Sequence, residues 1–168
     1  MAVCGIVLAA GAGTRAGGPK ALRPGWIDAA CTALLEGGCS RVIVVLGAAP
    51  SAPIPADDRV ESVIAADWAQ GISHSLRAGL DAASGDAALI TLVDLPGLPA
   101  AAVERILAAQ GELRQAVFEG RPGHPVYIAR AHWQLPLSGD RGARAYLVEH
   151  DVTELELSDL WDGADIDR

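Results

Sequence analysis

Near the N-terminus, Val7-Leu8-Ala9-Ala10-Gly11-Ala12-Gly13-Thr14-Arg15-Ala16-Gly17-Gly18-Pro19-Lys20 passes from apolar residues straight into a glycine-rich loop carrying two cations. Ala2 to Leu8 has the unbroken apolar character of a strand buried on both faces, the kind found at the centre of a parallel sheet. Glycines at the strand's exit let backbone N–H groups approach a ligand closely, as a polyphosphate requires. Arg15 offers a planar fork for phosphate oxygens, and Lys20 a compact point charge. The spacing is neither that of a Walker loop nor that of a dinucleotide fingerprint with an acidic ribose partner.

The rest of the chain alternates in the same way. Trp26 to Glu36, with Gly37-Gly38 behind it, reads as a glycine-stopped helix, and Arg41 to Leu46 as a β-branched strand. A proline-marked segment (Pro50, Pro53, Pro55) precedes a strand over Val60 to Ile64. A helix over Ser73 to Ala83 is followed by a strand over Ala87 to Val93, and a helix over Ala100 to Gln110 completes the pattern. Such alternation predicts an α/β fold, three layers deep (α/β/α), with a mainly parallel central sheet. Beyond Gln115 the rhythm changes. Ala116 to Phe118 and Val126 to Ile128 read as strands across a Gly120–Pro125 loop, Arg141 to Glu149 as the last substantial helix, and Val152 to Leu157 as a late strand. One domain over residues 1–168 is expected, with 1–110 as its nucleotide-binding part and 111–168 as its acceptor-binding part.

Composition narrows the classes. Thirteen Lys and Arg against 21 Asp and Glu give a net charge of −8, which argues against a broad nucleic-acid face. No apolar run approaches a membrane span and no secretory leader is visible, so a cytoplasmic protein is expected. Cys4, Cys31 and Cys39 lack metal-ligand or disulfide spacing and read as buried thiols. Asp94, at the end of an apolar strand and before Leu95-Pro96, should emerge at the carboxyl edge of the sheet, where open α/β sheets place ligands. A carboxylate there suits magnesium, the lesser alternative being a cap for the Pro-Gly-Leu-Pro turn. Asp165-Ile166-Asp167 has the position of a solvated tail. His124 has equal claims to surface and working roles. The four tryptophans follow no helical period and read as core residues, and His74, His132 and His150 as structural ones.

Taken together, Leu-Ala-Ala-Gly-x-Gly-x-Arg, Gly-x-Pro-Lys, Ser75-Leu76-Arg77-Ala78-Gly79-Leu80, Gly120-Arg121-x-Gly123-His124-Pro125 and Gly139-Asp140-Arg141-Gly142-Ala143-Arg144 span most of the chain. They resemble the molybdenum cofactor cytidylyltransferases, a branch of the nucleotidyltransferases with a glycosyltransferase-A-like fold. The resemblance implies transfer of CMP from CTP to a molybdopterin acceptor with release of pyrophosphate, aided by Mg2+. It implies that Leu8, Ala9, Ala10, Gly11, Gly13, Arg15, Lys20 and Ser75 bind the nucleotide, with Arg15, Lys20 and Asp94 catalytic. Asp94 and Asp167 would hold the metal. Gly123, His124 and Pro125 would line the pterin side, joined by Arg141 and Arg144 if these face a phosphate together from one helix. A molybdoenzyme apoprotein is an implied partner. GTP, or a different phosphorylated acceptor, is the alternative within the class. A non-catalytic cofactor-delivery protein is the rival outside it, motivated by the short Ala21–Gly25 segment and by a chain that ends one residue after Asp167.

Overall fold

The computed structural model describes residues 1–166. Seven strands form one sheet: β1 (Val3–Ala9), β2 (Arg41–Leu46), β3 (Val60–Ile64), β4 (Ala87–Leu92), β5 (Leu113–Phe118), β6 (Arg121–Ala129) and β7 (Thr153–Glu156). Their spatial order is β3-β2-β1-β4-β6-β5-β7. Strands β1 to β4 pair in parallel and β7 joins β5 in parallel, while β6 runs antiparallel to both neighbours. The helices are α1 (Trp26–Glu36), α2 (Ile72–Ala82), α3 (Ala100–Ala108) and the short α4 (Arg144–Glu149).

Alternation along β1 explains the layers. Val3, Val7 and Ala9 point into one apolar cluster with α1 and α3, whereas Cys4, Ile6 and Leu8 point into a second with α2 and α4. Burial of both faces is what makes β1, β2 and β4 nearly continuous apolar runs. The expected three-layer, mainly parallel α/β architecture is therefore the observed one. All three cysteines are free and buried, and burial pushes Cys31 and Cys39 up to about 12, so they are unreactive core residues.

Two expectations about the second half need correction. Gly120–Pro125 is not a loop: the chain turns at Glu119-Gly120, and Arg121 and Pro122 already pair with Phe118 and Val117. Two prolines are tolerated because β4 pairs with β6 only from Ile90–Val126 onward, leaving the Arg121–Pro125 stretch a free edge on that side. The last helix begins at Arg144 rather than Arg141, because Gly142 sits at φ +55, outside the helical region. Arg141 and Arg144 thus do not share a helix.

Two arginines to which the sequence reading gave no role fasten this half. Arg114, buried on β5, donates to the carbonyls of Ile106, Leu107 and Gly111 at 2.8–3.0 Å, satisfying the end of α3, and lies over the Tyr127 ring. Arg77 on α2 donates to the carbonyls of Trp133 and Leu135 at 2.7 and 2.6 Å. It holds the segment after β6 against the helix. No helix among the described residues is long and apolar enough to cross a membrane.

Candidate active site

The chain leaves β1 for β2 and β3 on one side, then returns to place β4 on the other. That reversal opens a crevice beyond the carboxyl ends of β1 and β4, where this class of sheet binds ligands. A cleft of about 380 Å³ lies there, walled by Leu8, Ala9, Ala10, Gly11 and Gly13 after β1, and by Leu92, Val93 and Asp94 after β4. Lys20, Ser75 and Trp68 also line it. Trp68, read from sequence as core, packs on Gly47 and presents part of itself to this cleft.

The loop after β1 closes on itself. The Gly13 carbonyl accepts from Ala16 N–H and Gly18 N–H at 2.9 and 3.0 Å, with Gly13 at φ +62 and Gly17 at φ +84. A Cβ on Gly13 would run into the Gly18 carbonyl, so both the conformation and the closure demand glycine there. Gly11 faces open space, consistent with a backbone left accessible to a ligand. Arg23 ties the loop from below, donating to the Ala16 carbonyl at 2.8 Å while packing near the Trp26 ring.

Lys20 and Asp94 meet at the mouth of this cleft. Lys20 Nζ lies 3.0 Å from Asp94 Oδ2, and the two side chains are only 16% and 17% exposed. The other oxygen, Oδ1, is buried and has no hydrogen-bond partner among the described residues. An orphaned carboxylate oxygen beside a phosphate-type loop fits a hard divalent cation, which takes oxygen ligands and completes its shell from substrate phosphates and water. No group of three or more metal-ligating side chains occurs among the described residues. Asp167 lies outside the described residues. The tail leading to it does arrive at this point, because Ile166 N–H donates to the Asp94 carbonyl at 2.9 Å.

Arg15 departs from expectation. It sits on a single 3-10 turn (Thr14–Ala16), exposed to solvent, and does not line the cleft. The turn follows from Gly13 and Gly17 in left-handed conformations on either side of it.

A second cleft of about 390 Å³ adjoins the first through Leu8, Ile72 and Asp140, which line both. Its walls are mainly apolar, including Leu76, Ile90, Val126, Ile128 and Leu147. Gly123, His124, Arg141 and Arg144 line it as well, whereas Pro125 is buried behind them in β6. Burial pushes His124 down to about 4, so the ring is neutral near pH 7 and presents one donor and one acceptor rather than a charge. Gln115, which the sequence reading passed over, also lines this cleft and donates to the Gly123 carbonyl at 3.4 Å. A register irregularity between Gln115 and Val117 accompanies it. His132, away from both clefts, bridges Tyr146 and Glu112 at 2.7 and 2.8 Å, a structural role.

Residues 5–154 match the MobA-like NTP transferase domain. The chain belongs to that family. It is 28% identical to Rv0371c of Mycobacterium tuberculosis H37Rv, with a TM-score of 0.82 over 99% of this chain and 93% of that one. A second structure of Rv0371c, in complex with manganese, aligns at 25% identity and TM-score 0.76, covering 94% and 88%. A nucleotidyl transferase from Methanothermobacter thermautotroptrophicus aligns at 25% identity, TM-score 0.75, with 94% and 88% covered. Among characterised proteins, the nicotine blue oxidoreductase of Paenarthrobacter nicotinovorans is 37% identical over 98% of this chain and 92% of its own length. The family and structural matches make the chain an NTP transferase by catalytic class, of a family with a divalent-metal-binding member.

Proposed function

We propose that the first cleft binds a nucleoside triphosphate, CTP in the first instance, and the second a molybdopterin-type acceptor, to which the chain transfers CMP. The observation that carries this reading is the Lys20–Asp94 pair with its orphaned Oδ1, set beside the glycine-rich loop in the first cleft, to which the second cleft is joined through Leu8, Ile72 and Asp140. In the reaction, a terminal phosphate oxygen of the acceptor attacks the α-phosphorus of the triphosphate. The new P–O bond forms as the bond to the β-phosphate oxygen breaks, and pyrophosphate leaves with the electron pair. A phosphate nucleophile is already ionised near pH 7, so the chain needs no strong general base.

Its own residues would then orient and neutralise. The Gly11–Gly13 backbone and Lys20 receive the triphosphate, and Ser75 and the Ala9-Ala10 backbone receive the nucleoside. Arg15 reaches the phosphates only if the turn that carries it folds inward around them. Asp94, with Asp167 from the tail, would hold Mg2+, which when bound neutralises the developing charge on the phosphates. On this reading residues 1–110 supply most of the nucleotide part and 111–168 much of the acceptor part, with Leu8, Ile72 and Asp140 shared by both clefts. The test is pyrophosphate release with Mg2+ and molybdopterin cofactor, running CTP, GTP and ATP in parallel. Release confined to one nucleotide supports the transferase and names its base. Release with another phosphorylated acceptor redirects the assignment, and binding of cofactor without release supports a delivery protein.

A second reading is favoured by the 37% identical relative, which is an oxidoreductase. In it the first cleft holds a reduced nicotinamide nucleotide and a hydride passes to a flat conjugated acceptor in the apolar second cleft. Oxidation of NADPH on adding such an acceptor, without pyrophosphate release from any triphosphate, would select this reading.

Gly13→Ala provides an independent check on the loop. Alanine would be held at φ +62 with its Cβ against the Gly18 carbonyl, a strain of about 1–3 kcal/mol that the loop relieves only by opening. The expected result is a loss of nucleotide affinity of about tenfold by calorimetric titration, with little change in melting temperature because the loop is at the surface. Unaltered affinity would remove the closed loop from the binding site.

A further inference from the structure

Asp140 is the one carboxylate among the described residues that lines both clefts, and the segment carrying it is fastened with unusual care. Ser73, 1% exposed near the start of α2, makes three bonds to it. Its N–H donates to the Gly139 carbonyl at 3.0 Å, its Oγ donates to the Ser138 carbonyl at 3.0 Å, and the same Oγ accepts from Gly142 N–H at 3.0 Å. Gly71, at φ +128, leaves the space that the Gly139 carbonyl fills, and Asp140 Oδ1 lies 2.6 Å from where a Cβ of residue 71 would stand. Arg77, one turn further along α2, grips the carbonyls of Trp133 and Leu135 upstream. One helix therefore holds the approach, the crossing and the exit of a segment whose residues 138–141 are otherwise exposed.

An exposed strap that only had to close the chain would not need three bonds from a buried hydroxyl residue to one short stretch. We infer that Ser73 is a positioning residue for Asp140, and that Asp140 contacts the ligand where the two clefts meet. An ionised carboxylate only accepts, so the ligand atom it meets is a hydrogen-bond donor, a hydroxyl or amino group of the nucleoside or of the acceptor. Gly71 serves the same end by admitting the strap against the helix. The inference rests on the transferase reading only for which ligand occupies the clefts.

The test is a double-mutant cycle on the full chain with Ser73→Ala, Asp140→Ala and the pair, read by calorimetric titration with CTP and Mg2+ and by the separate KM values for CTP and acceptor. A charge-assisted hydrogen bond lost with Asp140 corresponds to about tenfold in affinity or in one of the two KM values. Ser73→Ala should reproduce part of that loss in the same parameter, and the double variant should be no worse than Asp140→Ala alone. Asp140→Asn, which keeps one acceptor oxygen, should recover part of it. Melting temperature separates the roles, since Ser73→Ala lowers it and Asp140→Ala does not. Unchanged binding and KM values in Asp140→Ala, or losses that simply add in the double variant, would overturn the assignment. CTP binding without pyrophosphate release by the wild-type protein would count against the transferase reading alone, because the cycle on CTP affinity still decides the coupling.

Discussion

Asp94→Asn is expected to lower turnover by about 100-fold or more while leaving the fold and melting temperature nearly unchanged. The substitution keeps the shape of the side chain and one acceptor oxygen but removes the negative charge. That charge has two uses here. It pairs with Lys20 at 3.0 Å, and its second oxygen, buried and unpartnered among the described residues, is the group available to a cation. Because Lys20 and Asp94 are both mostly shielded from water, their interaction is screened less than a surface pair would be. Losing the carboxylate therefore alters the position of Lys20 as well as the site for the ion. The nucleotide loop itself is closed by Gly13 and Arg23, which do not depend on Asp94, so the loop should keep its shape and any change in metal-free nucleotide affinity should come through Lys20. The distinguishing measurement is pyrophosphate release as a function of Mg2+ concentration. A fall in kcat together with a shift of the Mg2+ dependence to higher concentration is the expected pattern. Wild-type turnover with a wild-type Mg2+ dependence would take Asp94 out of the chemistry.

The parts of this fold visible in the sequence are those governed by local period and by chain termination. Arg41–Leu46 and Val60–Ile64 are found as strands with the expected bounds, because β-branched residues in short runs have few alternatives. Trp26–Glu36 is found as a helix for the same kind of reason, with Gly37-Gly38 ending it. Where local punctuation conflicted with tertiary context, the context won. Gly120 to Pro125 carries every sign of a loop, yet pairing with β5 draws it into β6, and a free edge removes the usual penalty on proline. In the opposite direction, Arg141–Ala143 precedes α4 rather than opening it, because Gly142 sits at φ +55 where its N–H meets Ser73 Oγ.

The site divides along similar lines. Gly11, Gly13, Lys20, Ser75 and Asp94 are brought to one cleft, as their motifs imply, because each sits beside the end of a strand or the start of a helix that the sheet order brings together. Arg15 is adjacent to them in sequence and still points elsewhere, since two left-handed glycines reverse the chain around it. Ser73, Gln115 and Arg114 carry no readable signal, and Arg77 only its place in a motif: their roles lie in bonds to backbone carbonyls and amides, which any residue supplies. Ser73 and Arg77 make those bonds more than fifty positions away in the chain. Only the geometry reveals that one face of α2 serves both clefts.

Stability should fall as pH drops from about 6.5 to about 4, with His124 alone contributing at most about 3 kcal/mol because its half-buried ring keeps some contact with water. Its half-buried ring lines the second cleft, and the desolvation this causes holds it neutral in the folded chain down to about 4. The unfolded chain ionises the same ring near the ordinary histidine value, so between the two values the unfolded state binds more protons and gains on the folded one. The contribution is complete above pH 6.5, declines through that window, and levels off below pH 4. Asp57 and Glu156, held at about 2 by their hydrogen bonds, lose their contributions at lower pH and do not mimic this pattern at pH 5 to 6.5. Comparing wild type with His124→Gln in urea unfolding at pH 7, 6, 5 and 4.5 cancels every other titrating group. The variant should show a shallower decline over that range, and equal slopes would mean that the ring is solvated or partnered. A neutral His124 also bears on what the second cleft can take: among largely apolar walls the ring offers one donor and one acceptor rather than a charge, and Arg141 and Arg144 are the cations of the lining, which is compatible with the proposed acceptor of an uncharged heterocycle bearing a phosphate.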